Sequence, residues 1–136
     1  MTKIWNKGLQ DLYDQLPNNI FDEALAQDIL EHLPRTNTSH VLKEWNRILK
    51  PGGRLILRVP SVTGLADLLR DTENASFDKQ KIMIQNLFGT QAYPGDFHFT
   101  GFTEILLKHY LIDTGFAEPE IQLSEGWLFD VVAVKL

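Results

Sequence analysis

Apolar residues recur along this chain with two periods, and the order of those periods predicts an α/β fold. Between residues 39 and 50, Val41, Leu42, Trp45, Ile48 and Leu49 fall at helical spacing and share one face. Thr38 or Ser39 can cap that helix, and Pro51-Gly52-Gly53 stops it. On each side the pattern changes to strands. Phe21 to Gln27 is short, apolar and bounded by turn residues, although its alanines also suit a helix. Asp28 to Leu33 reads as a single helical turn closed by Pro34. Residues 55–59, Leu-Ile-Leu-Arg-Val, are apolar in the way expected of a strand buried on both faces.

Further on, Leu65, Leu68 and Leu69 mark a short amphipathic helix, and residues 77–88 a second, with Ile82, Ile84, Leu87 and Phe88 apolar. Residues 89–101 read as a loop, with three Gly, one Pro and three aromatics among 13 residues. A helix over 102–114 follows, capped by Thr103 and closed by Gly115. Strands over 120–123 and 128–134 finish the chain. Ser124-Glu125-Gly126 joins them into an antiparallel hairpin, and Val131, Val132 and Val134 make the second the stronger strand. A strand–helix–strand unit gives a parallel pair. The result is an α/β layer architecture in a single domain, 1–136, with residues 1–20 polar and irregular.

Composition adds boundaries. At 136 residues the chain suits one domain, and 43% apolar residues can fill a core. The net charge of −5 argues against a nucleic-acid partner, and no run of 18 apolar residues is present to span a membrane. The absence of cysteine removes disulfides, thiolate metal sites and thiol nucleophiles, and favours a cytoplasmic location. The N-terminal residues show no signal-peptide pattern. His32, His40, His98 and His109 have no metal-ligand spacing, and Asp96 beside His98 offers two ligands only, so no metal is expected.

Several segments together carry a resemblance. They are Phe21-Asp22, Glu31-His32-Leu33, Arg47-Ile48-Leu49-Lys50-Pro51-Gly52-Gly53, the strand at 55–59, His98 to Thr103, and Thr114-Gly115-Phe116. In this order they resemble the second half of a class I S-adenosylmethionine-dependent methyltransferase of the type 11 kind, over about residues 11 to 134. The resemblance implies an incomplete Rossmann-like methyltransferase sheet, with strands equivalent to 4, 5, 7 and 6, flanking helices and the C-terminal hairpin. It also implies S-adenosylmethionine as cofactor and a small-molecule acceptor. The departure is as informative. The family's first strand leads into an acidic residue and Gly-x-Gly-x-Gly, and this sequence contains no Gly-x-Gly. The ribose-binding acid is also missing.

Within the resemblance, Asp11 and Leu12 match the pair that meets the adenine, though Asp11 read alone is a solvated loop aspartate. Ala26, Gln27 and Asp28 end the first strand, where the family faces the methionine part of the cofactor and where open α/β sheets place ligands. Read alone, they merely end a strand. His32 matches the family's histidine; read alone, it fixes the turn. Tyr93, Asp96 and His98 lie in the segment that lines the acceptor pocket in the family, and His98 is a candidate general base. The alternative there is a loop packed by its own aromatics. Trp5, Trp45 and Trp127 read as core or interface. Three functions stay open. The chain is half of a split methyltransferase that needs a partner chain for its N-terminal half; a truncated, non-catalytic interaction or regulatory subunit; or a small enzyme whose cofactor site forms between identical chains. A homodimer or heteromer with contacts near residues 1–30 is expected, because the strand at 21–27 would lie at an open sheet edge.

Overall fold

The computed structural model describes residues 15–136, so Trp5, Asp11 and Leu12 lie outside the described residues. Four strands form one sheet: β1 (Phe21–Gln27), β2 (Leu49–Pro60), β3 (Glu120–Ser124) and β4 (Leu128–Val134). The helices are α1 (Thr38–Ile48), α2 (Val62–Arg70), α3 (Phe77–Phe88) and α4 (Glu104–Asp113), with short 3-10 turns at Leu30–His32, Arg35–Asn37 and Thr72–Asn74. The sheet order is β1-β2-β4-β3. β1 runs parallel to β2, whereas β4 is antiparallel to both β2 and β3. This is the expected 4-5-7-6 order, and among the described residues β1 is an edge strand.

The helix over 38–48 buries Val41, Leu42, Trp45 and Ile48, the face that the spacing predicts. Its N-cap is Asn37, with no side-chain cap bond, rather than Thr38 or Ser39. Thr103 does cap α4, accepting from the Leu106 amide, and Gly115 follows with φ of +102°. α1 and α4 share a core with one face of the sheet. That core joins Leu42 and Trp45 to Leu55, Leu57 and Val59 of β2, Phe129, Val131 and Ala133 of β4, and Leu107 and Leu111 of α4.

The expectation that β2 is buried on both faces is corrected. Leu55, Leu57 and Val59 are buried, but between them Ile56 and Arg58 are only half-buried, and Arg54 is exposed. The alternation is that of a strand with one covered face, which the apolar run at 55–59, broken by Arg58 alone, disguises. β2 also begins earlier than expected, at Leu49, because the Lys-Pro-Gly-Gly segment belongs to the strand. Gly52 adopts φ of +82°, a conformation costly for side chains. The Gly52 amide donates to the Lys135 carbonyl, and the Lys135 amide donates to the Gly53 carbonyl, both at 2.9 Å. The Lys135 ammonium then reaches the Asn46 and Leu49 carbonyls and Asn19 Oδ1, each at 2.8 Å. A cation thus closes the carbonyl end of α1. Burial and the nearby Arg47 hold the pKa of Lys135 below the usual lysine range.

Candidate functional site

Ligands in open α/β sheets sit beyond the carboxyl ends of parallel strands, which here are the ends of β1 and β2. β1 ends in a tight turn. Asp28 has φ of +58°, which Asp tolerates better than most residues, and its amide donates to the Arg58 carbonyl at 3.1 Å. Arg58, on the less covered face of β2, grips the Asp28 carboxylate with Nε at 3.1 Å and Nη2 on the other oxygen. That partner raises the pKa of Arg58 further. Gln27 is exposed, whereas the Ala26 side chain lies in the core, so only its backbone can face a ligand.

After Asp28 the chain turns inward. Leu30 and Glu31 are fully buried, with Glu31 1% exposed. Glu31 Oε2 has no hydrogen-bond partner. Burial raises its pKa to about 8; its own backbone amide opposes the rise, Asp28 adds to it and Arg58 subtracts. The Glu31 carbonyl accepts from the Phe99 amide at 2.8 Å, which draws residues 89–101 onto this turn. His32 Nδ1 lies 3.2 Å from the Phe97 carbonyl. His98 Nδ1 lies 3.3 Å from the Leu87 carbonyl, and its amide donates to the Phe88 carbonyl at 3.0 Å. The two imidazoles meet edge to face with centroids 4.6 Å apart. Burial, then the neighbouring His32, lowers the pKa of His98. Asp96 accepts from the Thr90 amide and hydroxyl, and the hydroxyl bond lowers its pKa.

The fold therefore brings His32 and His98 together, with Asp96 at the rim and Glu31 beneath. Tyr93 stands apart, 61% exposed. Glu31, though part of the Glu31-His32-Leu33 motif, and Arg58 were not among the expected site residues. The signal for Glu31 was its place in an Asp-Ile-Leu-Glu-His run, an acid between apolar residues; for Arg58, a charge inside an apolar strand. The ligand-spacing argument against a metal does not describe this geometry, because two of the four histidines converge from distant segments.

The described residues fit only one side of an S-adenosylmethionine. Asp28 and Gln27 offer polar groups at the end of β1, although Arg58 already engages the Asp28 carboxylate. A glycine cradle open to ligand is not among them. A Cβ at Gly53, Gly64, Gly89 or Gly101 would strike the protein's own atoms rather than open space.

Comparison with known proteins gives a consistent frame. A methyltransferase domain family matches residues 6–57. No curated protein matches the chain in sequence. Among solved structures, a possible exported protein from Bordetella parapertussis has a TM-score of 0.66 at 16% identity, over 93% of this chain and 42% of its own. The Burkholderia thailandensis 1,6-didemethyltoxoflavin-N1-methyltransferase, solved with 1,6-didemethyltoxoflavin and S-adenosylhomocysteine, has a TM-score of 0.61 at 18% identity, over 91% and 48%. An S-adenosylmethionine-dependent methyltransferase from Methanosarcina mazei has a TM-score of 0.59 at 25% identity, over 89% and 62%. The chain spans less than half the length of the first two of these proteins.

Proposed function

We propose, from the premise of a class I S-adenosylmethionine-dependent methyltransferase fold, that this chain is the acceptor-side half of a methyltransferase acting on a small molecule. A second polypeptide chain, docked along the β1 edge, supplies the glycine-rich cofactor cradle. One observation carries the reading: the turn after β1 and residues 89–101 converge at the carboxyl end of the parallel pair. Gln27 and Asp28 lie on the cofactor side of this junction, and His98 and Asp96 on the acceptor side. Methyl transfer to an amine or an anion needs alignment more than proton transfer, so positioning is the expected contribution of these residues. His98 serves as general base only for an acceptor that must lose a proton.

The β1 edge supports the partner. Phe21, Leu25, Trp45 and Leu55 are among the residues lining a shallow cleft there, and the edge backbone of β1 is open among the described residues. The absence of Gly-x-Gly from the sequence favours a second reading, a non-catalytic interaction or regulatory subunit.

Calorimetric titration with S-adenosylmethionine, with mass by light scattering in the same buffer, separates the two. The purified chain alone is expected to bind on the order of 100-fold more weakly than a complete methyltransferase, since the orienting contacts are absent. Adding a polypeptide that carries acidic-x-Gly-x-Gly-x-Gly restores binding if the first reading holds, and Leu25→Lys abolishes that rescue. Lack of binding in the reconstituted pair favours the second reading; micromolar binding by the lone monomer refutes the need for a partner.

A further inference from the structure

Glu31, His32 and His98 each place one potential ligand atom within 4.8 Å of the other two. Three features of this cluster go beyond proximity. Glu31 is 1% exposed and its Oε2 has no partner, a costly state for a carboxyl group unless something arrives to satisfy it. The Nδ1 atoms of both histidines face backbone carbonyls, of Phe97 and Leu87. A carbonyl can only accept, so Nδ1 is the donor in each ring, and in the neutral imidazole the lone pair is then on Nε2. Imidazoles that ligate metals are oriented in this way, by a hydrogen bond from the second nitrogen to a carbonyl or carboxylate. Both histidines are half-buried, so ions can reach them.

We propose that Glu31, His32 and His98 bind one divalent transition-metal ion of the zinc type, which ties residues 89–101 to the turn after β1. Two borderline imidazole nitrogens beside one carboxylate oxygen suit zinc, cobalt or nickel rather than calcium or magnesium, which take all-oxygen sites. Metal–ligand bonds of about 2.0–2.2 Å put tetrahedral ligand atoms roughly 3.4 Å apart, so the cluster has to contract by about 1–1.5 Å on binding. Side-chain rotation in the loop-borne His98 can supply that movement. Three protein ligands leave a fourth position for water or for an oxygen of a bound molecule. The site does not depend on methyl transfer or on a partner chain.

The test uses the whole chain, stripped of ions with chelator and free of any histidine tag. Zinc chloride alone is titrated by calorimetry, and cobalt chloride alone by visible absorption. One ion per chain with a dissociation constant in the micromolar range or tighter is expected, with cobalt d–d bands that zinc displaces. Glu31→Gln and His98→Gln should each weaken binding at least about tenfold, given that losing merely a supporting contact costs 10–100-fold. His40→Gln and His109→Gln should leave it unchanged. Imidazole nitrogen NMR of the unmutated protein needs no variant to fold: zinc should shift the resonances of His32 and His98 and spare those of His40 and His109. Absence of saturable binding at about 100 μM zinc, equal affinity in His98→Gln, or shifts confined to His40 and His109 would each overturn the proposal.

Discussion

Gly64 sits in the first turn of α2, where its amide donates to the Ser61 hydroxyl at 2.9 Å. Helix propensity alone says that Gly64→Ala should stabilise the protein by about 1 kcal/mol. The structure reverses the sign. A Cβ at this position would lie far inside contact distance of the Gly126 carbonyl oxygen, and 3.2 Å from both the Gly126 carbonyl carbon and Ser61 Oγ. The nearest obstacle is backbone, and the Ser61 hydroxyl is held by the Gly64 amide that it caps. The Ser61 amide donates to the Trp127 carbonyl at 2.7 Å and the Val62 amide to the Phe102 carbonyl at 3.0 Å, which pin the start of α2. Across from it, the Trp127 amide donates to the Ser124 carbonyl, which pins the hairpin turn. Overpacking typically costs about 1–3 kcal/mol, and two backbones held from both sides place this case at the upper end. The net effect is a loss of about 1–2 kcal/mol. With a urea m-value of about 1–3 kcal/mol/M, the unfolding midpoint should fall by roughly 0.3–2 M. Gly52→Ala is the comparison, since a Cβ there meets nothing within 4 Å and pays only for φ of +82°. A Gly64→Ala midpoint equal to or above that of the unmutated protein would refute the close packing of α2 on the hairpin turn.

Three further expectations follow from burial and charge. Trp45, 3% exposed on the core face of α1, should cost about 3–5 kcal/mol on replacement by alanine; a loss below about 1 kcal/mol in urea would show that its ring is not packed on the sheet. Burial pushes the Glu31 carboxyl up to about 8 in the folded state, from about 4.5 in the unfolded chain, so the folded state holds a proton that the unfolded chain has lost between these pH values. Stability should therefore fall as pH rises from about 5 to 8, by on the order of a few kcal/mol, and Glu31→Gln in the presence of chelator should flatten the trend; identical slopes in urea melts would refute this. Lys135→Met should remove the ammonium from the Asn46 and Leu49 carbonyls and cost about 1–3 kcal/mol at pH 7. Thermal melts that show no change would mean that water replaces it freely.

Local signals gave the elements and non-local ones escaped. The limits of β1, Phe21–Gln27, and the buried face of α1 were readable because turn residues and a 3.6-residue period write them directly into neighbouring positions. The hairpin over 120–134 was equally plain, and the sheet order came with the family resemblance. What could not be read was how far apart residues meet. Nothing near Lys135 indicates that its ammonium closes α1, and nothing near His98 indicates that it meets His32 edge to face. β2 misled for a different reason: Ile56 looks like a core residue, yet its register beside Arg54 and Arg58 puts it on the less covered face. Among the expected site residues, Ala26 ends its strand as read, but strand alternation turns its side chain into the core, which a list of positions does not convey.

The position of β4 has a consequence for synthesis on the ribosome. The inner strand β2 finds its second neighbour only in β4, which follows every other strand among the described residues, and the Gly52–Gly53 turn is stitched shut by Lys135 after that. While the nascent chain is still lengthening, β2 can pair with β1 alone, and its apolar positions Leu55, Leu57 and Val59 have no Val131 or Phe129 beside them. Emergence from the exit tunnel through residue 135, rather than the completion of α1, sets the moment at which this sheet can close. A stalled or prematurely released chain would carry a two-stranded intermediate with exposed apolar surface, a species prone to aggregate.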